Sequence, residues 1–510
     1  MLRSRTGGIM NIKEAKNEIK NTVKAYLAKD ETGCYQISPV NQRPILLMGP
    51  PGIGKTQIME QIARECQIGL VAYTITHHTR QSAVGLPYIK EETYDENTYS
   101  ITKYTMSEII AGIYEEMHQR GCREGILFID EINCVSETLA PTMLQFLQYK
   151  TFGGHKIPEG WIIAAAGNPP EYNHSVHDFD MVTLDRLRCM NLEPDFSVWK
   201  AYAKTARIHS SITSYLELRP NNFYCVENDV DGLQFVTARG WEDLSRLIQT
   251  YESLGIPVKE EVFHEFIHHE DIARDAAAFY DLYHKYQDDY GITQILGGRV
   301  RPSVWKRLEQ ASFDERLCVV SQLSDGLANI LHCAAQERER SDDWYLFLKG
   351  FRNRLNSKGE PVTSYLESLN GLEEEFKRNK SGNLYSKEQL QNKKWLLMQL
   401  KNTLPQKDMN DQEAFDYEKK HFDIQLKKLE QTELAAENSI EYAFDFMEQA
   451  FIGGQEMVIF VTDLTLNNES AAFLSQHPCS RYTKYTEQLL IGSRKEQLLS
   501  EIARDSEQFT

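Results

Sequence analysis

The strongest chemical pattern in the chain is Gly49-Pro50-Pro51-Gly52-Ile53-Gly54-Lys55-Thr56, which satisfies G-x-x-x-x-G-K-[ST] at every fixed position. Glycines let the backbone turn tightly, so that successive N–H groups converge on an anion at the start of a helix. Lys55 can then neutralise the β- and γ-oxygens of a nucleotide, and the Thr56 hydroxyl can ligate Mg²⁺. The flanks suit this role. Residues 44–48 form a short apolar run that reads as a buried strand. Beyond the loop, from Gln57 to Glu65, Ile58, Met59, Ile62 and Ala63 keep helical spacing.

Three further polar motifs stand at the ends of apolar runs. Ile126-Leu127-Phe128-Ile129 is near-continuously apolar, the mark of a parallel strand buried on both faces, and it ends in Asp130 and Glu131. Asp130 can hold Mg²⁺ through its water shell, and Glu131 can polarise an attacking water. An acid pair alone could equally cap a strand; downstream of a phosphate loop the catalytic reading is favoured. Ala166-Gly167-Asn168-Pro169 ends the next strand, where a neutral amide can orient water or touch a γ-phosphate. A lone Asn-Pro is usually a turn, so Asn168 draws its weight from its place in the series. Leu184-Asp185-Arg186-Leu187-Arg188 precedes the last apolar segment, Cys189 to Leu192. A guanidinium suits the charge of a transferring phosphoryl group and can be supplied by a neighbouring subunit. The plain alternative is a surface ion pair with Asp185.

The elements that must position these groups are set by periodicity. Residues 11–29 predict an amphipathic helix; 69–76 a second strand; 77–107 a polar insert able to pair as a hairpin; 106–119 and 138–149 helices; 161–166 a further strand. Strands alternating with helices imply a doubly wound parallel sheet, the α/β class. Residues 196–289 read as several helices, and the chain beyond is charged and mostly helical. The most polar stretch, 359–412, reads as mobile or coiled. Residues 457–464 fit helical spacing better than a strand.

In order, GPPGIGKT, LFIDEIN, AAGNP and TLDRLR resemble an AAA+ ATPase, and within that class the MoxR-type, dynein-related branch. The resemblance covers roughly residues 40–290. It implies a P-loop core over 40–195 after an N-terminal helical segment, 1–39, with a helical lid at 196–290. It leaves 291–510 as a mostly helical region of open role. By the same resemblance Asp130-Glu131-Ile132-Asn133 is the Walker B signature, 84–104 the insert after strand two, and 150–161 the hairpin before sensor 1. Arg239, in Thr237-Ala238-Arg239-Gly240-Trp241, falls at sensor 2, and Arg186 at the trans-acting finger, a part Arg188 could also take. The family usually has Phe where Leu187 stands. The resemblance implies Mg²⁺-dependent ATP hydrolysis in a ring, expected to be a hexamer, that remodels a protein partner. A von Willebrand factor A-type protein is the expected partner type. The alternative is a nucleic-acid motor of the restriction-associated kind.

Composition bounds these readings. The chain has 510 residues, room for about three domains. Its formal charge of −18 argues against nucleic-acid tracking as the main activity. No run is apolar enough for a membrane span, and the N-terminus, where Met10 is a second possible start, has no apolar signal core. Nine dispersed cysteines without a C-x-x-C pair read as reduced thiols of a cytoplasmic protein. His264-Glu265-Phe266-Ile267-His268 satisfies H-E-x-x-H, but it has no third-ligand motif after it and a packing role is favoured. His77, His78, His174 and His177 are expected to be solvated or structural.

Overall fold

The computed structural model describes residues 9–77, 83–94, 97–135, 139–152, 154–172, 176, 179–229, 232–358, 360–381, 385–406, 408–451 and 454–489. They fall into two compact units. The first holds the described residues through Trp199 together with Thr237–Gly240 and Ser381; the second holds Lys200–Val236, Trp241–Lys380 and those from Tyr385 onward.

The first unit is built on a six-stranded, wholly parallel sheet. Its strands are β1 (Ile9–Met10), β2 (Ile45–Met48), β3 (Gly69–Thr74), β6 (Gly125–Asp130), β9 (Trp161–Gly167) and β10 (Arg188–Leu192), in the spatial order β1-β10-β2-β9-β6-β3. Two antiparallel hairpins interrupt the chain order: β4 (Pro87–Tyr94) with β5 (Asn97–Tyr104), and β7 (Thr151–Phe152) with β8 (His155–Lys156). The helices are α1 (Ile12–Leu27), α2 (Lys55–Cys66), α3 (Glu108–Arg120), α4 (Ala140–Tyr149) and the single turn α5 (Met181–Leu184). This is the expected P-loop α/β core.

Side chains alternate across a strand, and here both faces are covered. Ile126 and Phe128 of β6 join Ile45 and Leu47 of β2 beneath α1 and α2. Leu127 and Ile129, with Leu46, face Ile109, Ile110 and Ile113 of α3 and Met143, Phe146 and Leu147 of α4. That is why these strands read as continuous apolar runs rather than as alternating ones. Helix α1 lies ahead of the core in sequence, and the residues before it add an edge strand, Ile9 and Met10 pairing with Asn191 and Leu192. Helix α1 starts with a reciprocal capping box between Asn11 and Glu14, which satisfies donors that a helix start leaves unpaired.

The second unit is mostly helical. It contains α7 (Ser210–Leu218), the body of α8 (Ala238–Leu254), α9 (Glu260–Phe266), α10 (Glu270–Tyr290), α11 (Ile292–Leu296) and α12 (Pro302–Leu308). Then come α13 (Phe313–Lys358), α14 (Pro361–Ser381), α15 (Lys387–Asn402), α16 (Asp411–Ala450), α17 (Gln455–Leu466) and α18 (Asn468–Gln476). Helix α6 (Phe196–Ala206) bridges the sequence boundary between units. Residues 196–289 also hold a hairpin that helical periodicity does not suggest, β11 (Cys225–Asp229) with β12 (Gly232–Val236). The stretch 359–412 is not loosely coiled where described. Tyr365, Leu369, Leu396 and Leu400 pack against Trp344, Phe347 and Phe351 of α13 in one apolar cluster. Residues 455–466 are helical, as their spacing predicts. Among the described residues, no helix is long and apolar enough to cross a membrane.

Candidate nucleotide site

The loop after β2 folds as its glycines require. Gly52 and Gly54 sit at φ +74° and +93°, in the left-handed region that side chains avoid. A Cβ on Gly52 would lie 2.9 Å from the Thr237 Cβ, and one on Gly49 would lie 2.8 Å from the Leu192 Cβ. Both glycines are thus also fixed by close packing. Ile53 packs on the core beneath the loop, and Gln57 is exposed on the first turn of α2. Pro50 and Pro51 hold the entry to the turn, the Pro50 carbonyl accepting from Lys55.

Lys55 opens α2 and is buried at 8% exposure. Its ammonium donates to Gly49 O, Pro50 O and the Asn168 Oδ1, each at 2.8 Å. Burial, opposed by the charge of Asp130 and assisted by that of Arg239, brings the Lys55 ammonium down to about 8. A cation held in this way favours a nearby anion, which would restore its charge, and a phosphate group fits that demand.

The other expected residues converge on the same sheet edge. Asp130 ends β6 and accepts the Thr56 hydroxyl at 2.7 Å through Oδ2 and the Glu131 N–H at 2.9 Å through Oδ1. A hydroxyl and a carboxylate so close form an oxygen pair of the kind that suits Mg²⁺. Glu131 adopts φ +56°, uncommon for a residue with a side chain, and its Oε2 accepts the Thr76 hydroxyl at 3.1 Å. Asn168, just past β9, touches Lys55. Arg239 lies in the first turn of α8, within the first unit; its N–H donates to Gly52 O at 3.2 Å.

Arg186 and Arg188 separate clearly. Arg188, the first residue of β10, donates to the Thr22 hydroxyl at 2.8 Å and pairs with Glu18 of α1. Arg186 is exposed two residues after α5, whose first two residues, Met181 and Val182, are 83% and 55% exposed. Two residues without a role in the sequence pattern also join the site. Asn133, 2% exposed, donates to Asn168 O at 2.7 Å and accepts the Asn168 N–H at 3.3 Å. Thr76, in sequence only the end of an apolar strand, lies on a short 3₁₀ turn after β3. The Asp-Glu-Ile-Asn signature holds the signal for Asn133; nothing local marks Thr76.

The H-E-x-x-H pattern does not share a helix face. Helix α9 ends at Phe266, and His268 lies beyond it, where its carbonyl accepts the Phe235 N–H at 2.9 Å and its ring meets the Phe235 ring at 4.8 Å. His77 ends the 3₁₀ turn after β3; His78, His174 and His177 lie outside the described residues.

Residues 45–176 match the model of the ATPase family associated with various cellular activities (AAA). The match begins at the first residue of β2 and takes in Lys55, Thr56, Asp130, Glu131 and Asn168. It supports an AAA+ ATPase with ATP-driven activity. It spans well under half of the chain, and Arg186 and Arg239 lie outside it. No curated protein shows significant similarity to the chain.

Proposed function

We propose that the protein hydrolyses ATP at this sheet edge as part of a ring of like subunits and uses the energy to remodel a protein partner. The observation that carries the reading is the convergence of five side chains from three strand ends on one phosphate loop. Lys55 bonds Asn168, Thr56 bonds Asp130, and Glu131 follows with its backbone N–H on the Asp130 carboxylate. Lys55 and the loop amides would bind the β- and γ-phosphates. Thr56 and Asp130 would hold Mg²⁺, which supplies charge neutralisation on the phosphate oxygens. Glu131, oriented by Thr76, would take a proton from the attacking water while the new oxygen–phosphorus bond forms. The bond from the γ-phosphorus to the bridging oxygen breaks, and ADP leaves with phosphate. Asn168 would align the water, and Arg239 would steady the γ-phosphate from the first turn of α8.

Arg186 would complete the site of the neighbouring subunit. Its exposure, a few residues after exposed Met181 and Val182, supports a head-to-tail contact, which closes into a ring when the rotation between subunits is a whole fraction of a turn. A protein partner is supported by the β4–β5 hairpin, where Tyr88, Ile89, Tyr94 and Tyr99 are all exposed. Within this reading the MoxR-type branch, a von Willebrand factor A-type partner and a cytoplasmic setting are carried over from the motif resemblance. Replacing Glu131 with Gln tests the core of the reading. ATP should still bind, while turnover falls about 10²–10⁴-fold, as for a lost general base. Normal turnover in that variant would overturn the catalytic assignment.

A further inference from the structure

The second unit contains a cavity of about 900 Å³ with a mixed polar and apolar lining, and one of its walls gathers two imidazoles and a carboxylate. His209 caps the N-terminus of α7, Glu252 lies in the last turn of α8, and His284 lies on α10. Three separate helices thus deliver one ligand atom each to one place. The His209 Nε2 lies 3.2 Å from the Glu252 Oε2, and the His284 Nε2 lies 3.0 Å from the Glu252 Oε1. All three ligand atoms lie within 4.8 Å of one another. Two donors bound to one tetrahedral zinc ion stand about 3.3 Å apart, so little movement separates this arrangement from a coordinated one.

The surroundings favour coordination over an ordinary ion pair. The His284 Nε2 is shielded from solvent and makes no aligned hydrogen bond, although the carboxylate oxygen is at 3.0 Å. Distance without alignment is what an intervening ion would resolve. Supporting groups fix the ligands. The His209 Nδ1 accepts the Ser211 N–H at 3.3 Å and lies 2.7 Å from the Ser211 hydroxyl, to which it would donate once an ion replaces the proton on the Nε2 that faces Glu252. The Tyr280 hydroxyl donates to Glu252 at 3.0 Å, and its ring packs edge-on against His284 at 4.4 Å. Such outer partners orient the ligands of metal sites.

Two other clusters are weaker candidates. Glu469, beside His332, is already neutralised by Arg207. Near His269, burial pushes the Cys225 thiol up to about 11, and Glu227 is largely exposed.

We propose that His209, Glu252 and His284 bind a divalent transition-metal ion of the zinc type, with its remaining coordination position facing the cavity. Two histidines and one glutamate with an open position form a donor set used by catalytic zinc. The site is distinct from the nucleotide loop, because all three ligands belong to the second unit.

The test uses the full chain, stripped with chelator and kept free of nucleotide. After incubation with Zn²⁺ and gel filtration, elemental analysis should find one equivalent per chain. Glu252→Gln and His284→Ala should each weaken binding at least about 100-fold, and His332→Ala and Cys225→Ser should leave it unchanged. With Co²⁺ the wild type should show visible ligand-field bands without the thiolate charge-transfer band that Cys225 would add. The near-isosteric Glu252→Gln guards against misfolding, and a Zn²⁺-induced rise in melting temperature should be seen in wild type and lost in this variant. Absence of stoichiometric binding overturns the proposal. Equal binding by wild type and both ligand variants marks adventitious surface metal only, and overturns it too.

Discussion

The two units handle polar side chains in opposite ways. In the first, both faces of the sheet are apolar, and the reactive groups stand at one edge, where strands end and loops begin. In the second, charged groups are threaded between helices. Glu418, fully buried, accepts the Trp344 indole N–H at 2.9 Å, and Glu337 binds Lys428, Arg340 and Gln425. A sheet edge gathers many short turns at one place and so can concentrate polar groups beside an apolar core. A helical array has no such edge; its polar groups satisfy one another or line a cavity.

This contrast can be broken, beginning with the largest effect. Arg186→Ala should lower steady-state ATP turnover about 10³-fold if the exposed arginine acts on a neighbour, and Arg188→Ala should leave turnover near wild type. Mixing Arg186→Ala with Glu131→Gln chains should restore part of the rate, because each supplies what the other lacks. Next, Asn133→Ala should cost about 10- to 100-fold in kcat with little change in KM, because it frees the backbone that aims Asn168. Equal losses in binding would instead make Asn133 a packing residue.

The third test addresses the second unit. Phe351→Ala, at a fully buried position, should destabilise that unit by about 3–5 kcal/mol in denaturant melts. Nucleotide affinity measured below the transition should not change. A matching loss of affinity would show that the units do not divide chemistry from packing.

The smallest effect is a pH profile. Lys55 is lowered to about 8 in the free site, and phosphate raises it again, so the complex holds more protons than the free protein above that pH. Affinity for a non-hydrolysed ATP analogue should be flat well below about pH 8. Above it, affinity should fall by no more than about tenfold per pH unit. Lys55→Arg should flatten the profile.

Legibility in the sequence obeys the same divide. The phosphate loop, Asp130, Glu131 and Asn168 are readable because each sits a fixed step from an apolar strand. Asn133 is visible as a letter of a signature but not as a brace. Its bonds reach 35 residues along the chain, and no local pattern encodes that pairing. In 359–412, charged and polar residues outnumber the apolar ones that matter. Tyr365, Leu396 and Leu400 find partners on α13 only through tertiary packing. The β11–β12 hairpin is hidden for a related reason: Val226, Leu233 and Phe235 also fit a helix-rich context. The three ligands of the proposed metal site lie far apart in sequence, with nothing in spacing to join them.

The lysine of the phosphate loop has a kinetic consequence. Gly49 O, Pro50 O and Asn168 Oδ1 together act as a tethered competitor, present at an effective concentration set by the fold rather than by the solution. On the proposed function, an incoming nucleotide would have to win the ammonium from them. A departing one would be displaced by groups already within reach, which would shorten the residence time of product. Because Asn168 is one of the three, the residue that would sense the γ-phosphate is also one that lets go of the lysine when phosphate arrives.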